Sequence, residues 1–264
     1  MDNGFRYPVE GEAMGELVRI PSPASDVKVF ATRVRSHEPH DVPLAHPAEL
    51  ATFATTKRRD EHLTGRWLLG QALLAQGEAD LSLLEVVRTP QRAPSLAYIQ
   101  GVWRRTPLPS VSIAHSEGMA FVALGPEHLR IGVDAEPLGR NLATNAFDLM
   151  AKGHELDRLV ENPDLAMRLW TGKEAVQKAL GLGMHLNPRE IEIPIEENSC
   201  HISIGKSKIQ LDYCQEIGYH VSLATTPSPA STPTAEDRLL EETKAAMEAN
   251  PDWGVGCNTQ RNRA

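Results

Sequence analysis

Two rounds of one hydrophobic pattern, a helix followed by short strands, restrict this chain to few folds. Residues 49–76 have the broad apolar face of a buried helix and precede several strand-like segments. Helical patterns return over residues 145–159 and 165–180, again followed by strand-like segments. A Gly-Pro break at residues 125–126 separates the two rounds. We predict the α+β class: two similar α+β halves with pseudo-twofold symmetry, each a small antiparallel sheet packed on helices.

The strand-like segments are short and are bounded by turn residues. They are residues 27–35, 82–88, 111–115, 119–124 and 129–136, followed by IEIPI, HISI, IQLDY and YHVSLA between residues 190 and 224. The polar corner Ser116-Glu117-Gly118 predicts a hairpin turn between two of them.

The two ends of the chain differ in composition from this central part. Residues 1–25 are rich in Gly, Pro and acids and are predicted to form an irregular lead-in. We predict an N-terminal half over residues 26–125 and a C-terminal half over residues 126–225. Residues 226–264 begin with a Pro-, Ser- and Thr-rich stretch that lacks the apolar side chains for a core. We therefore predict a flexible linker and tail there, helical only within EDRLLEETKAAMEA.

Charge and cysteine content exclude several classes of protein. The formal net charge of −8 disfavours nonspecific nucleic-acid binding, because such proteins need a basic surface. No apolar run is long enough to cross a bilayer, and the N-terminus has no secretory pattern. Cys200, Cys214 and Cys257 are odd in number and form no CxxC pair, which disfavours disulfides or zinc. We predict a cytoplasmic monomer without nucleic-acid or membrane partners.

The strand segment IGVDAE places two carboxylates on one face. Asp134 and Glu136 are two residues apart, so their side chains point the same way and repel each other. A divalent cation would relieve that repulsion, and oxygen ligands favour Mg²⁺. Acids at a solvated strand end would give the same pattern, so this segment alone leaves both readings open.

The helical segment RLWTGKEAVQKALG places an acid and a base on the side opposite its apolar residues. Glu174 and Lys178 lie one turn apart, and Trp170 lies on the same side. An exposed Glu-Lys pair would stabilise the helix by only ~0.3 kcal/mol. A large apolar side chain such as Trp170 on this side indicates that the side is covered by another part of the protein or by a ligand.

The segment VSIAHS ends a predicted strand with a histidine beside two serines. His115 and Ser112 are suited to holding a phosphate group. A histidine buried in the core with satisfied hydrogen bonds remains an open alternative for this segment.

In order and spacing, these three segments together resemble the 4′-phosphopantetheinyl transferases. The pattern is Ser-x-x-His-Ser, then Gly-Val-Asp-x-Glu, then Trp-x-x-Lys-Glu-x-x-x-Lys. It is similar to the larger, pseudo-dimeric class of the surfactin- and enterobactin-synthetase-activating type, which activates nonribosomal peptide and polyketide synthases. The stretch from Lys57 to Arg66, KRRDEHLTGR, is similar to the enterobactin-type branch. The resemblance covers roughly residues 50–224.

The resemblance implies a catalytic and metal-binding set. Asp134 and Glu136 match metal-binding acids, and Glu174 matches a third acid that also serves as the base for the carrier serine. Lys178 matches the lysine that contacts the cofactor phosphates. The implied metal ligands for Mg²⁺ are Asp134, Glu136 and Glu174, and the implied catalytic residues are Asp134, Glu174 and Lys178.

The resemblance also implies residues that hold coenzyme A. The nucleotide end, chiefly the 3′-phosphate, is assigned to Arg66, His115 and Arg92. Arg92-Ala93-Pro94 departs from the family's Gly-Lys-Pro-like segment, and Ala135 replaces a larger apolar residue. Glu155 falls where some members have a further acid near the metal. The complete cofactor-binding set is Arg58, Arg66, Arg92, Ser112, His115, Lys173 and Lys178.

The implied reaction is that of a holo-[acyl-carrier-protein] synthase. With Mg²⁺, the 4′-phosphopantetheine group of coenzyme A moves to a serine of an apo acyl or peptidyl carrier protein, and adenosine 3′,5′-bisphosphate leaves. Fatty-acid, polyketide, nonribosomal-peptide, siderophore and lysine-pathway carriers are all compatible with it. Arg33 and Arg104-Arg105 are candidates for carrier docking by charge alone. Two alternatives stay open: a metal-dependent phosphohydrolase or nuclease, and a noncatalytic module that binds coenzyme A or a carrier.

Overall fold

The computed structural model describes residues 17–22, 24–77, 80–102, 106–229 and 235–249. The described residues up to Ser228 form one unit, and those from Pro229 onward form a second. The α-helices are α1 (Pro47–Leu50), α2 (Thr56–Leu74), α3 (Phe147–Met150), α4 (Gly153–Glu161), α5 (Ala166–Ala179) and α6 (Ala235–Ala249). The strands are β1 (Val18–Ile20), β2 (Lys28–Arg33), β3 (Leu84–Arg88), β4 (Pro94–Tyr98), β5 (Ser110–Ser116), β6 (Met119–Gly125), β7 (Leu129–Pro137), β8 (Ser199–Ile204), β9 (Ser207–Glu216) and β10 (Tyr219–Pro227).

A first antiparallel sheet has four strands in the order β1-β2-β6-β5. Its central strand β6 is apolar along nearly its whole length, as a strand covered on both faces must be. Helix α2 packs on one face, where Leu69 and Leu73 join a core with Phe30 and Val122. Strands β3 and β4 form a separate antiparallel hairpin. This arrangement directs the N-terminal half of α2 toward the end of β5.

A second antiparallel sheet has four strands in the order β7-β10-β9-β8. Helix α5 packs against β7 and β10, and Gly132 makes their close approach possible. A Cβ atom at residue 132 would lie 1.9 Å from the Ala175 carbonyl oxygen, so only glycine fits. The acids of β7 therefore lie directly beside the acid and base of α5.

The two sheets share a core and meet where β5 lies beside β7. One apolar cluster joins Val29 and Phe121 of the first sheet to Val133 and Val221 of the second. Across the same seam, the Val133 N–H donates to Ser112 Oγ at 3.0 Å. The mixed α+β class with antiparallel sheets is thus confirmed, while the pseudo-twofold relation between halves stays a prediction.

Both long helical patterns are interrupted, contrary to the sequence prediction. The segment predicted as one helix over residues 49–76 is α1 and α2, because Thr55 caps the second helix by accepting a hydrogen bond from the Arg58 N–H. The helix predicted over residues 145–159 divides into α3 and α4 at Ala151 and Lys152, whose backbone is extended.

The strand predicted over IEIPI is wrong, although its apolar residues are buried as predicted. Ile191, Ile193 and Ile195 point into the core, but residues 191–195 pair with no strand in the described part of the chain. Side chains bind this backbone instead: the Ile193 N–H donates to Glu155, and the Ile191 carbonyl accepts from Lys173. Alternating burial is therefore present without a sheet.

Several predictions concern the ends of the chain and its cysteines. The tail helix predicted within EDRLLEETKAAMEA is confirmed as α6. No helix among the described residues is both long and apolar enough to span a bilayer. Cys200 and Cys214 are free thiols, whereas Cys257 lies outside the described residues, as do residues 1–16, Arg104-Arg105 and most of the predicted linker.

Candidate active site

A cavity of about 260 Å³ opens where α2, the β3–β4 turn, β5 and the end of α5 come together. Its walls combine basic side chains with a few apolar ones, such as Ile113 and Pro94. The predicted coenzyme A residues that line it are Arg66, Arg92, Ser112, His115 and Lys178. A pocket with this excess of positive charge is suited to an anionic ligand.

Buried nitrogen atoms without partners line this cavity. Arg66 is only 1% exposed, yet its Nε and Nη1 atoms have no hydrogen-bond partner among the described residues. The same holds for Nε2 of His62 and Nε2 of His115. Leaving such groups unsatisfied costs roughly 1–3 kcal/mol each. Their convergence indicates that a hydrogen-bonding ligand completes the site.

The two histidines are neutral and closely packed. Burial, reinforced by nearby cationic side chains, lowers the pKa of His62 to about 4 and that of His115 to about 3. Each neutral ring offers one N–H donor and one acceptor nitrogen. Gly65 allows His115 to reach α2, since a Cβ atom at residue 65 would lie 2.5 Å from His115 Nε2.

Glu49 of α1 binds the basic residues of this cavity. Its Oε2 accepts from Arg66 Nη2 at 3.0 Å and lies 3.4 Å from His62 Nε2, while its Oε1 accepts from Arg88 Nε. Burial alone would raise the pKa of Glu49, but the hydrogen bonds from Arg66 and Arg88 outweigh it and lower that pKa. Glu49 is therefore an ionised carboxylate at neutral pH.

The β3–β4 turn closes one side of the cavity. Arg88 Nη1 donates to the Arg92 carbonyl at 3.0 Å, and Arg92 adopts a positive φ of 66° that few non-glycine residues tolerate. The turn reaches the segment after α5, where a Cβ atom at residue 181 would lie 3.6 Å from that of Ala93. Arg88 thus comes from the end of β3, and Arg92 comes from a turn that holds it in an uncommon backbone conformation.

Asp134 and Glu174, which both contact Lys178, form the acidic part of the site next to the cavity. Lys178 Nζ lies 2.6 Å from Asp134 Oδ1, 3.9 Å from Glu174 Oε2 and 3.1 Å from the Val133 carbonyl oxygen. Burial, together with the negative charges of Glu174 and Glu136, raises the pKa of Asp134 to about 7, although Lys178 opposes this shift. This crowding of carboxylates is what a bound cation would relieve.

Residues 130–225 match the family model of the 4′-phosphopantetheinyl transferase superfamily. The matched range contains Asp134, Glu136, Glu174 and Lys178, so the acidic part of the site belongs to it. That superfamily implies transfer of phosphopantetheinyl groups in general. Arg66, Arg92 and His115 lie outside the match, and a search of curated proteins finds no match to this chain.

Within the matched region, Glu136, another of the predicted metal ligands, has other partners. Glu136 Oε2 accepts from Arg140 Nη1 at 2.7 Å and from the hydroxyl of Ser116. Over the described ranges, no three His, Cys, Asp or Glu side chains are grouped closely enough to hold a metal ion. Lys178 pairs with Asp134 and Arg140 pairs with Glu136, and a metal site formed by the three acids stays a prediction.

Lys173, also in the matched region, points away from the cavity. Its side chain is 0% exposed, and Nζ donates to Glu155 at 2.6 Å and to the carbonyls of Pro188 and Ile191 at 2.9 and 2.6 Å. Glu155 thus pairs with a lysine inside the core and does not join the acids of β7. Arg58 also lies outside the cavity: its largely exposed side chain donates to Glu61.

Sequence reasoning did not assign His62, Arg88 or Glu49 to the site. His62 precedes Arg66 by four residues on α2, so helical periodicity would have placed both on one face. Arg88 ends β3 and Glu49 lies in α1, and neither position has a local pattern that predicts its contact with the cavity.

Proposed function

We propose that this chain transfers the 4′-phosphopantetheine group of coenzyme A to a serine of an apo carrier protein. The observation that supports it is that the cavity and the acids are adjacent: the cavity, with unpartnered nitrogen atoms of Arg66, His62 and His115, adjoins Lys178, which contacts Asp134 and Glu174. An anionic nucleotide fits the first part, and a reacting pyrophosphate fits the second. The match of residues 130–225 to a phosphopantetheinyl-transferring superfamily supports the same reaction.

In this proposal the basic cavity holds the nucleotide end of coenzyme A. Arg66 donates to its 3′-phosphate, His115 and His62 line the space around that group, and Arg92 contributes charge from the β3–β4 turn. Ser112 aligns β7 by accepting from the Val133 N–H and so acts by positioning. Lys178 adds a point charge to the pyrophosphate, because its ammonium faces both the cavity and Asp134.

The acids of β7 and α5 supply the reaction chemistry. Glu174 is 28% exposed and accepts the proton of the carrier serine as that hydroxyl attacks the β-phosphorus. Asp134, Glu136 and Glu174 are the carboxylates that would hold Mg²⁺, and burial, with smaller contributions from the negative charges of Glu174 and Glu136, raises the pKa of Asp134. A bound Mg²⁺ would neutralise the pyrophosphate and stabilise charge on the leaving group.

We extend the proposal to the larger, pseudo-dimeric class with a siderophore, nonribosomal peptide, polyketide or fatty-acid carrier. The two sheets, each packed on a helix, support that class. We also retain the predictions of a cytoplasmic monomer and of adenosine 3′,5′-bisphosphate as the product that leaves. Lys173 and Arg58 have no place in the proposed coenzyme A site, since neither lines the cavity.

The test is incubation with fluorescent coenzyme A, Mg²⁺ and a panel of apo carriers, followed by mass spectrometry. We expect at least one carrier to gain the phosphopantetheine mass with the wild-type protein. Asp134→Asn and Glu174→Gln should abolish the gain, whereas Asp164→Asn, an exposed control outside the cavity, should keep it.

Two results would contradict the proposal. Consumption of coenzyme A or cleavage of nucleic acid without a carrier mass gain would favour the phosphohydrolase or nuclease. Tight binding of coenzyme A with no mass gain on any carrier would favour the noncatalytic module.

A further inference from the structure

The carboxylate of Glu49 contacts two arginines of the cavity in the way a phosphate would. One oxygen accepts from Arg66 at 3.0 Å, and the other accepts from Arg88, so a single anion joins α2 to the β3–β4 turn. Arg66 is 1% exposed, and a buried guanidinium requires an anionic partner. Glu49 provides that partner from within the chain.

Glu49 satisfies only part of this donor set. Nε and Nη1 of Arg66 and Nε2 of His62 stay without hydrogen bonds in its presence. A carboxylate has two oxygens and one charge, whereas a terminal phosphate has three oxygens and nearly two charges. A phosphate at this position would therefore satisfy donors that Glu49 leaves unpaired.

We propose that Glu49 is a specificity-determining residue that competes with the 3′-phosphate of coenzyme A for Arg66 and Arg88. The proposal rests on the proposed function and adds that nucleotide binding displaces this carboxylate. A ligand that has the 3′-phosphate forms hydrogen bonds with Arg66 and Arg88 after Glu49 has moved away from them. Dephospho-coenzyme A, which lacks that group, leaves Glu49 in place.

The position of Glu49 in the fold allows such an exchange. Its side chain is 23% exposed, and it lies in a four-residue helix that begins at Pro47 and ends before α2. Such a short helix has little intrinsic stability of its own. The arginines, in contrast, belong to the long helix α2 and to a strand end, so the carboxylate is the group that moves.

The experiment is calorimetric titration of three ligands: adenosine 3′,5′-bisphosphate, coenzyme A and dephospho-coenzyme A. The proteins are wild type, Glu49→Gln and the matched control Glu127→Gln, an exposed glutamate outside the cavity. We expect Glu49→Gln to bind the bisphosphate and coenzyme A about tenfold more tightly, equivalent to ~1.4 kcal/mol. Dephospho-coenzyme A should change less than about twofold, and the control should match wild type for all three.

Other outcomes separate failure of this inference from failure of the proposed function. Weaker bisphosphate binding by Glu49→Gln would overturn the inference and give Glu49 an arginine-orienting role. An equal gain for dephospho-coenzyme A would also overturn it, because the competition would not involve the 3′-phosphate. Wild type that binds none of the three ligands would instead refute the proposed function.

Loss of folding in Glu49→Gln would not end the test. Glu49→Asp keeps the charge but shortens the side chain, so it cannot reach both guanidinium groups at once. A bisphosphate-induced rise in Tm larger than that of wild type supports displacement of the carboxylate. An equal or smaller rise overturns it.

Discussion

At the scale of single residues, the buried histidines of the cavity link protein stability to pH. The pKa of His62 is lowered to about 4 and that of His115 to about 3, mainly by burial. In the unfolded chain these histidines bind protons near pH 6.5, whereas in the folded protein they stay unprotonated until the pH falls to about 4 or 3. The stability from both groups is fully present above pH 6.5 and is lost as pH falls through this window.

We therefore expect the contribution of these two histidines to the free energy of unfolding to fall between pH 6.5 and 4. Each histidine should contribute a slope of up to ~1.4 kcal/mol per pH unit. His62→Gln should remove the contribution of one histidine to this slope. His128→Gln, an exposed control in the β6–β7 turn, should leave the slope unchanged. Urea unfolding at several pH values measures the slopes, and equal slopes for His62→Gln and wild type would contradict the assignment.

Lys173 gives a second prediction at this scale, based on its fully buried ion pair with Glu155. Lys173→Met removes one charge of the pair and two further donor contacts, so we expect a loss of about 3–5 kcal/mol. Lys152→Met breaks a largely exposed pair with Glu190 and should cost less than ~1 kcal/mol. Urea unfolding compares the two, and similar losses would mean that the buried pair contributes little.

The same residue marks a limit of sequence reasoning. The family-like motif placed Lys173 in the cofactor set, because it directly precedes Glu174. Adjacent residues on a helix point about 100° apart, so the motif does not decide which of them faces the cavity. Glu155, the partner that decides it, lies on another helix. Glu174 and Lys178 were identifiable because they share one face of a helix. Asp134 was identifiable because it shares one face of a strand with Glu136.

At the scale of elements, the contact between β7 and α5 depends on the absence of a side chain at Gly132. We expect Gly132→Ala to destabilise the protein by about 3 kcal/mol, because the new Cβ would meet backbone atoms of Ala175 and Ala179. Separation of β7 from α5 would also move Asp134 away from Lys178 and lower transfer activity.

Gly139→Ala is the matched control for this change. A Cβ atom at residue 139 meets nothing within 4 Å, so stability and activity should stay close to wild type. Chemical denaturation and carrier labelling of both variants provide the comparison. A fully stable and active Gly132→Ala protein would mean that the helix can shift without cost.

Element types were largely predictable from hydrophobic period, whereas their ends and partners were not. Strands β5, β6 and β7 were predicted nearly in full, because each has an apolar pattern bounded by turn residues. The IEIPI segment has the same pattern, yet its backbone binds Glu155 and Lys173, which are distant in sequence. A local hydrophobic pattern predicts which side chains are buried, but it does not predict which groups form hydrogen bonds with the backbone N–H and carbonyl groups.

At the scale of the whole molecule, both sheets and every residue of the cavity belong to the unit that ends at Ser228. Ser228 closes β10 through a 2.8 Å hydrogen bond from its N–H to the His128 carbonyl. We expect a chain that ends at Ser228 to keep its Tm and its affinity for coenzyme A. A chain that ends at Leu223 should unfold, because it loses the β10 residues that pair with Leu129–Gly132.

Thermal unfolding and calorimetry on the two truncated proteins test this expectation. Loss of coenzyme A binding in the chain ending at Ser228 would assign a role to the second unit. The repeated pattern of helix and strands predicted two halves, and composition predicted a separate tail. It could not predict that the halves share a core through Val29, Phe121 and Val133, because such contacts join residues distant in the chain.

The order of strands in the second sheet has a consequence for biosynthesis. Strand β7, which contains Asp134, has β10 as its one pairing partner among the described strands of its sheet, and β10 begins at Tyr219. At ~5–20 residues per second, a ribosome needs several seconds between finishing one strand and starting the other. During that interval the nascent β7 has an unpaired edge that invites wrong partners. The acidic part of the site is therefore among the last features to form on the growing chain.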